Sequence, residues 1–151
     1  MGQPAAKQGD KVIAFDVHLI QPPGTSPPAP VPGHVFNGIV DNGLSTDVRI
    51  EGRFAAVVGS TATNTPPHIP LGGSFVVLPT NQATIITGSP TVRINNKPAA
   101  RMGDTANTCN DPSPLPVGTV IQVAGMSGRG YRIQLTAIED HTETVWFTVG
   151  Q

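Results

Sequence analysis

An internal repeat constrains this chain more than any other feature. Val48 to Ala62 lies over Val92 to Ala106 at a constant offset of 44, with 8 of 15 positions identical. The shared residues are valine, arginine, isoleucine, two alanines, glycine, threonine and a final alanine. Segments this similar must fold alike and bury the same face, so the repeat sets the architecture.

The second copy shows what the unit is. Val92 and Ile94 alternate with polar residues, the pattern of a short half-buried strand. Asn95-Asn96 is turn chemistry, because asparagine tolerates positive φ. Pro98 has no N–H to give to a central ladder. Ala99 and Ala100 suit a tightly turned backbone, and Gly103-Asp104 closes the unit with a second turn. Ala5 to Asp10 repeats the turn of Ala99 to Asp104, and Val120 to Gly125 reads as a weak copy of the strand. Three turns and three strands, with the first strand and last turn missing, describe a ring of three units cut between a strand and its turn.

The remaining chain fits an all-β fold with little helix. Glycine (17 residues) and proline (16) are abundant, while charged residues are only 13%. That balance suits short strands joined by tight turns. Lys11–Ile20, Ser74–Leu78 and Thr84–Thr87 read as strands, and Phe36–Ile50 as short strands around Asp41-Asn-Gly43. Gln21–Gly33 reads as a tied-down, proline-rich extended loop, and Thr61–Pro70 and Thr105–Gly118 as loops. No apolar stripe of period 3.6 runs for three turns. Residues 1–125 form the repeat domain. Residues 126–151 read as an appended β-hairpin, Tyr131–Ile138 and Thr142–Val149, packed on or beside it.

Ligand-type residues follow the repeat. His18 comes eight residues after Asp10, His68 eight after Ser60, and Cys109 five after Asp104. Units related by rotation would bring these three side chains to one axis. His34, on the far flank of the proline loop, supplies a fourth. Three imidazoles and one thiolate make a closed tetrahedral zinc site, structural and one per chain. Small units with little interior to bury need a staple, and a metal clip can serve as one. His141, beside Glu139 and Asp140, reads as a surface residue. Asp10 and Asp104 read as acceptors of backbone hydrogen bonds in their turns. Arg49, Arg93, Lys97 and Arg101 read as a solvated face or rim pairs.

Lys97-Pro-Ala-Ala-Arg101 followed by Gly103-Asp104 resembles the motif of the PAAR-repeat family, and the likeness covers roughly Ala5 to Gly125. The resemblance implies a small conical fold of three pseudo-threefold β units with a metal-tied apex, and tip ligands of three His and one Cys. It also implies a structural role capping the homotrimeric β-helical spike of a type VI secretion-like or phage tail-like contractile injection apparatus. There the protein sharpens the spike for piercing an envelope and can attach effector cargo. One chain would cap one trimer, its base strands adding to open spike edges. Val48, Ile50, Val92, Ile94, Ile121 and Val123 are the expected spike-binding face.

Other classes fit less well. Net charge is −1 with no basic run, so nucleic-acid binding is not expected. No apolar stretch approaches the roughly 18–20 residues that span a bilayer. The N-terminus shows neither a signal-peptide nor a myristoylation pattern. The expectation is therefore cytoplasmic assembly, followed by carriage at the particle tip to a target cell or the extracellular space. The single cysteine rules out an internal disulfide. The rival reading is a zinc-dependent hydrolase built on His18, His34 and His68 with a water in the fourth position, or an effector delivered by the apparatus. Cys109 as a fourth ligand would close such a site, and no nucleophile motif is present. The chain is therefore read as not an enzyme.

Overall fold

The computed structural model describes residues 3–123 and, for the backbone alone, residues 133–135. The strands in chain order are β1 (Lys11–Gln21), β2 (Ala29–Asn42), β3 (Val48–Ile50), β4 (Arg53–Phe54), β5 (Thr61–Asn64) and β6 (Ser74–Phe75). They continue with β7 (Gln82–Ile85), β8 (Arg93–Ile94), β9 (Lys97–Pro98), β10 (Thr105–Thr108), β11 (Leu115–Ile121) and β12 (Ile133–Leu135). Among the described residues there is no helix, hence none long and apolar enough to cross a membrane.

The main sheet runs β11-β10-β7-β5-β2-β1-β6, and β11 also pairs with β1. That last pairing closes six antiparallel strands into a barrel, which leaves no open edge around it. Each unit contributes a turn, an outgoing strand, a loop and a returning strand. The outgoing strands are β1, β5 and β10, and the returning strands are β2, β7 and β11. We call the turn end basal and the loop end apical.

The three turns close on one another in a ring. Ala6 N donates to Ala100 O (2.8 Å), Ala100 N to Ala56 O (3.0 Å) and Ala56 N to Ala6 O (2.9 Å). Single bridges Ala5↔Arg101, Lys7↔Ala55 and Val57↔Ala99 complete the ring. The Ala-Ala step now has a physical reason. Ala5, Ala55 and Ala99 point into a basal cluster, and Ala6, Ala56 and Ala100 point into the barrel. Three backbones meeting at one axis leave room for a methyl group and little more.

The turns are equivalent in detail. Gly9, Gly59 and Gly103 have φ of 92°, 98° and 88°, where a side chain would strain the backbone. Their N–H groups donate to Val40, Ile85 and Val120, whose own N–H groups donate back to Asp10, Ser60 and Asp104. Asp10, Ser60 and Asp104 also cap their turns, accepting from the N–H of Lys7 (2.9 Å), Val57 (2.9 Å) and Arg101 (2.6 Å). The acceptor role read for Asp10 and Asp104 is thus present. These bonds correct one assignment. Val120 corresponds to Val40 and Ile85, the ends of returning strands, and not to the hairpin strands that begin at Val48 and Val92. The ring of three stands, with Val120 at a different station in it.

Two stretches expected as loops contain strands. β5 lies in Thr61–Pro70, and β10 and the first part of β11 lie in Thr105–Gly118. The inward residues of β5 and β10 carry little hydrophobic signal: Ala62 and Ala106 are fully buried, and so are the polar Asn64 and Thr108, while Thr61, Thr63, Thr105 and Asn107 are half-buried. A narrow six-stranded barrel is filled by alanine, so hydrophobic alternation is faint there. Val12, Phe36, Val40, Ile85 and Val120 supply the rest of the barrel core. The proline-rich loop also ends earlier than expected, because β2 starts at Ala29 and pairs Val31 with His18.

Two basal hairpins, β3–β4 and β8–β9, follow the first two returning strands. Ser45 and Ser89 start them alike, each hydroxyl accepting the N–H three residues on at 3.0 Å. β12 adds antiparallel to β3, Ile133 opposite Ile50 and Leu135 opposite Val48. The rest of the expected C-terminal hairpin, with His141, lies outside the described residues.

Candidate metal centre

The barrel delivers ligand-type side chains to its apical end. β1 carries Asp16 and His18, two positions apart and both turned inward. β2 carries His34, the loop after β5 carries His68, and the end of β10 leads into Cys109. His18 and His34 thus come from the first unit, His68 from the second and Cys109 from the third.

These side chains meet. Ring centroids of His18 lie 5.0 Å from His34 and 4.8 Å from His68, and His34 lies 5.9 Å from His68. Ligand atoms of Asp16, His18, His68 and Cys109 all fall within 4.8 Å of one another, a cluster able to hold a metal ion. His34 belongs to the same group of rings but outside that tightest set. Sequence reasoning missed Asp16. Its signal was the Asp-x-His spacing on β1, which puts both side chains on one strand face.

Hydrogen bonds decide which atoms face the centre. His18 Nδ1 lies 3.1 Å from Asp111 Oδ2, and His34 Nδ1 lies 3.1 Å from the Val31 carbonyl. Those contacts hold both rings with Nε2 turned the other way. Both Nε2 atoms are buried without a partner. Two buried, unpartnered imidazole nitrogens in one cluster fit a cation, since such groups otherwise carry a desolvation penalty. Asp16 is different. Its carboxylate accepts from Thr108 Oγ1, from Asn110 Nδ2 at 3.0 Å and from Cys109 Sγ at 3.6 Å, and lies 3.1 Å from His68 Nε2. So Asp16 ties the His68 loop to the segment after β10. Asn81 Oδ1 holds the His68 backbone N–H at 2.8 Å.

Electrostatics point the same way. Burial, then the neighbouring His18 and His34's other neighbour His68, push the His34 pKa below its ordinary value, toward the neutral form that binds metals. Burial raises the Asp16 carboxyl, but hydrogen bonds from His68 and Thr108 outweigh it and the pKa ends below 3.8. Burial and then the Asp16 charge push the Cys109 thiol up to about 11. A cysteine so placed is a thiol unless a cation draws off its proton.

Basal residues have other surroundings. Val48, Ile50 and Ile94 are buried with Ala5, Ala55, Val57 and Ala99, and Val92 packs against them. Ile121 and Val123 are half-buried. The small axial alanines cannot fill the base, so these larger side chains turn inward beneath the hairpins. What the hairpins expose is Arg49, Glu51, Arg53, Arg93 and Lys97. Arg101 pairs with Asp104 at 3.0 Å, and Arg49 lies over the Phe54 ring at 4.1 Å.

An all-β barrel closed on an internal threefold, with a metal-type cluster at its apical end, describes a small conical tip. A family model for the PAAR motif matches residues 25–112, more than half of the chain. The chain belongs to that family, the family of type VI secretion spike-tip proteins. Membership supports a structural tip role and implies binding to a spike protein. No curated protein and no solved structure gave a match.

Proposed function

We propose that this protein caps the trimeric β-helical spike of a contractile injection apparatus, one chain per trimer, and forms its leading point. The observation that carries this is the ring of Ala6, Ala56 and Ala100, by which one chain imitates a threefold assembly. Three equivalent basal stations can meet three equivalent subunit ends. The basal end is the docking surface, with Val48, Ile50, Val92, Ile94, Ile121 and Val123 supporting it and the exposed hairpin residues making contact. Residues 1–125 would be the repeat domain, and residues 126–151, of which Ile133–Leu135 pair with β3, could attach cargo.

At the apex, His18, His34, His68 and Cys109 would hold a structural zinc ion. His18 and His34 would offer Nε2, and His68 the nitrogen not spent on Asp16. The bound ion would supply a cross-link among three loops with little apolar area between them. Asp16 and Asp111 would orient the ligands. Assembly would take place in the cytoplasm before firing carries the tip outward. Mixing the full chain with a spike trimer and weighing the complex tests the proposal. One chain per trimer is expected, and three chains per trimer would overturn it.

A further inference from the structure

Charge is segregated along the barrel axis. No Asp, Glu, Lys or Arg lies between Asp16 and Asp41, or between Arg53 and Arg93. Those stretches include the first two apical loops, residues 22–28 and 65–81. The third, residues 109–114, holds only Asp111, which is turned toward His18 and the Leu19 N–H. Asp16 is fully buried. The exposed charges of the described residues lie instead toward the basal end, on the hairpins and the strand ends beside the turns.

The same end exposes apolar side chains. In the loop between β5 and β7, Ile69 is 72% exposed, Leu71 44%, Val76 48%, Val77 56% and Leu78 82%. This loop is fixed at the apex, because Val76 N donates to Leu19 O and Phe75 pairs with Ile20. Prolines number four, four and two in the three apical loops. Each proline lacks an N–H and so removes a donor that an apolar medium would leave unsatisfied.

We infer that the apical end binds the surface of an uncharged phospholipid bilayer, seating Ile69, Leu71, Val76, Val77 and Leu78 at the boundary with the acyl chains. A protein interface tolerates a charged rim around its apolar centre. Hydrocarbon penalises charge wherever it enters, and the apical surface is free of exposed charge over all three loops. Exposed backbone carbonyls in those loops limit the insertion to the interfacial layer. The inference deepens the spike-tip reading and rests on it for which end leads. Its test needs no spike.

The test is co-flotation of the full-length, metal-loaded protein with phosphatidylcholine vesicles at low and high salt. Binding is expected, with little salt dependence, because the contact is apolar. Ile69→Glu with Leu78→Glu should lower the affinity by about tenfold or more, with metal content, melting temperature and spike docking unchanged. Arg93→Glu, at the base, should leave vesicle binding as it was. The inference is overturned if the protein ignores these vesicles. It also falls if binding needs anionic lipid and vanishes in salt, or if the double variant binds like the parent. Spike docking by the same preparations shows separately whether the tip reading stands.

Discussion

Asp10→Ser should destabilise the protein strongly, whereas Asp10→Ser combined with Lys7→Val should not. Lys7 and Asp10 are both buried, with Lys7 Nζ 2.9 Å from Asp10 Oδ1. The equivalent positions of the second unit hold Val57 and Ser60, where the Ser60 hydroxyl takes the Val57 N–H at the same 2.9 Å. The chain thus contains an uncharged version of the same turn. Replacing Asp10 takes a carboxylate away from the buried Lys7 ammonium, and breaking a buried pair in this way costs up to about 3–5 kcal/mol. Serine retains the turn cap, so the loss isolates the charge. At about 3 °C per kcal/mol for a chain of this size, Asp10→Ser should lower the melting temperature by up to roughly 9–15 °C. The double variant should recover to within about 1–2 kcal/mol of the parent, since an apolar replacement of a buried pair is often nearly neutral. Melting curves at fixed metal concentration compare the parent, Asp10→Ser, Lys7→Val and the double variant, since metal load itself shifts the midpoint. The reasoning fails if the single variant melts like the parent, or if the two substitutions simply add.

Three other outcomes follow from the apex and the axis. With its thiol at about 11 in the metal-free protein, Cys109 should release its proton on zinc binding at neutral pH. Calorimetry in buffers of different ionisation heat should show about one proton more for the parent than for Cys109→Ser. Asp16→Ala should cost at least about 3 kcal/mol by stranding several buried donors yet retain measurable zinc, while His34→Ala should lose zinc affinity with a smaller fall in metal-free stability. Metal analysis beside melting curves separates the two. Ala100→Leu should cost about 1–3 kcal/mol or more by overpacking, because Ala6 and Ala56 close on it from both sides; a melting temperature equal to the parent's would contradict the ring.

The ring of three was legible because glycine, the Ala-Ala pair and the capping Asp or Ser are each forced by backbone geometry. Val120 was misplaced because its side chain resembles Val48 and Val92, while its station is set by main-chain bonds to Gly103 and Asp104 that leave no mark on side-chain type. β5 and β10 were read as loops for a related reason. In a barrel this narrow the inward residue is alanine, and Thr-Ala-Thr or Thr-Ala-Asn has almost no hydrophobic contrast. His18, His68 and Cys109 could be placed because equivalent turns precede them at short distances. Asp16 was missed although the Asp-x-His spacing puts it on the His18 face, because its partners Thr108 and Asn110 lie some ninety residues away. The basal valines and isoleucines were identified as apolar and clustered. Whether they faced inward or outward depended on how little volume the three axial alanines fill.

X-ray absorption at the zinc edge of the purified, metal-loaded protein tests the central claim that three units converge to tie one point. The account predicts one zinc per chain with three nitrogens and one sulfur, from His18, His34, His68 and Cys109, and no exchangeable water. A shell in which a carboxylate or water oxygen replaces one nitrogen, or in which sulfur is missing, would contradict it.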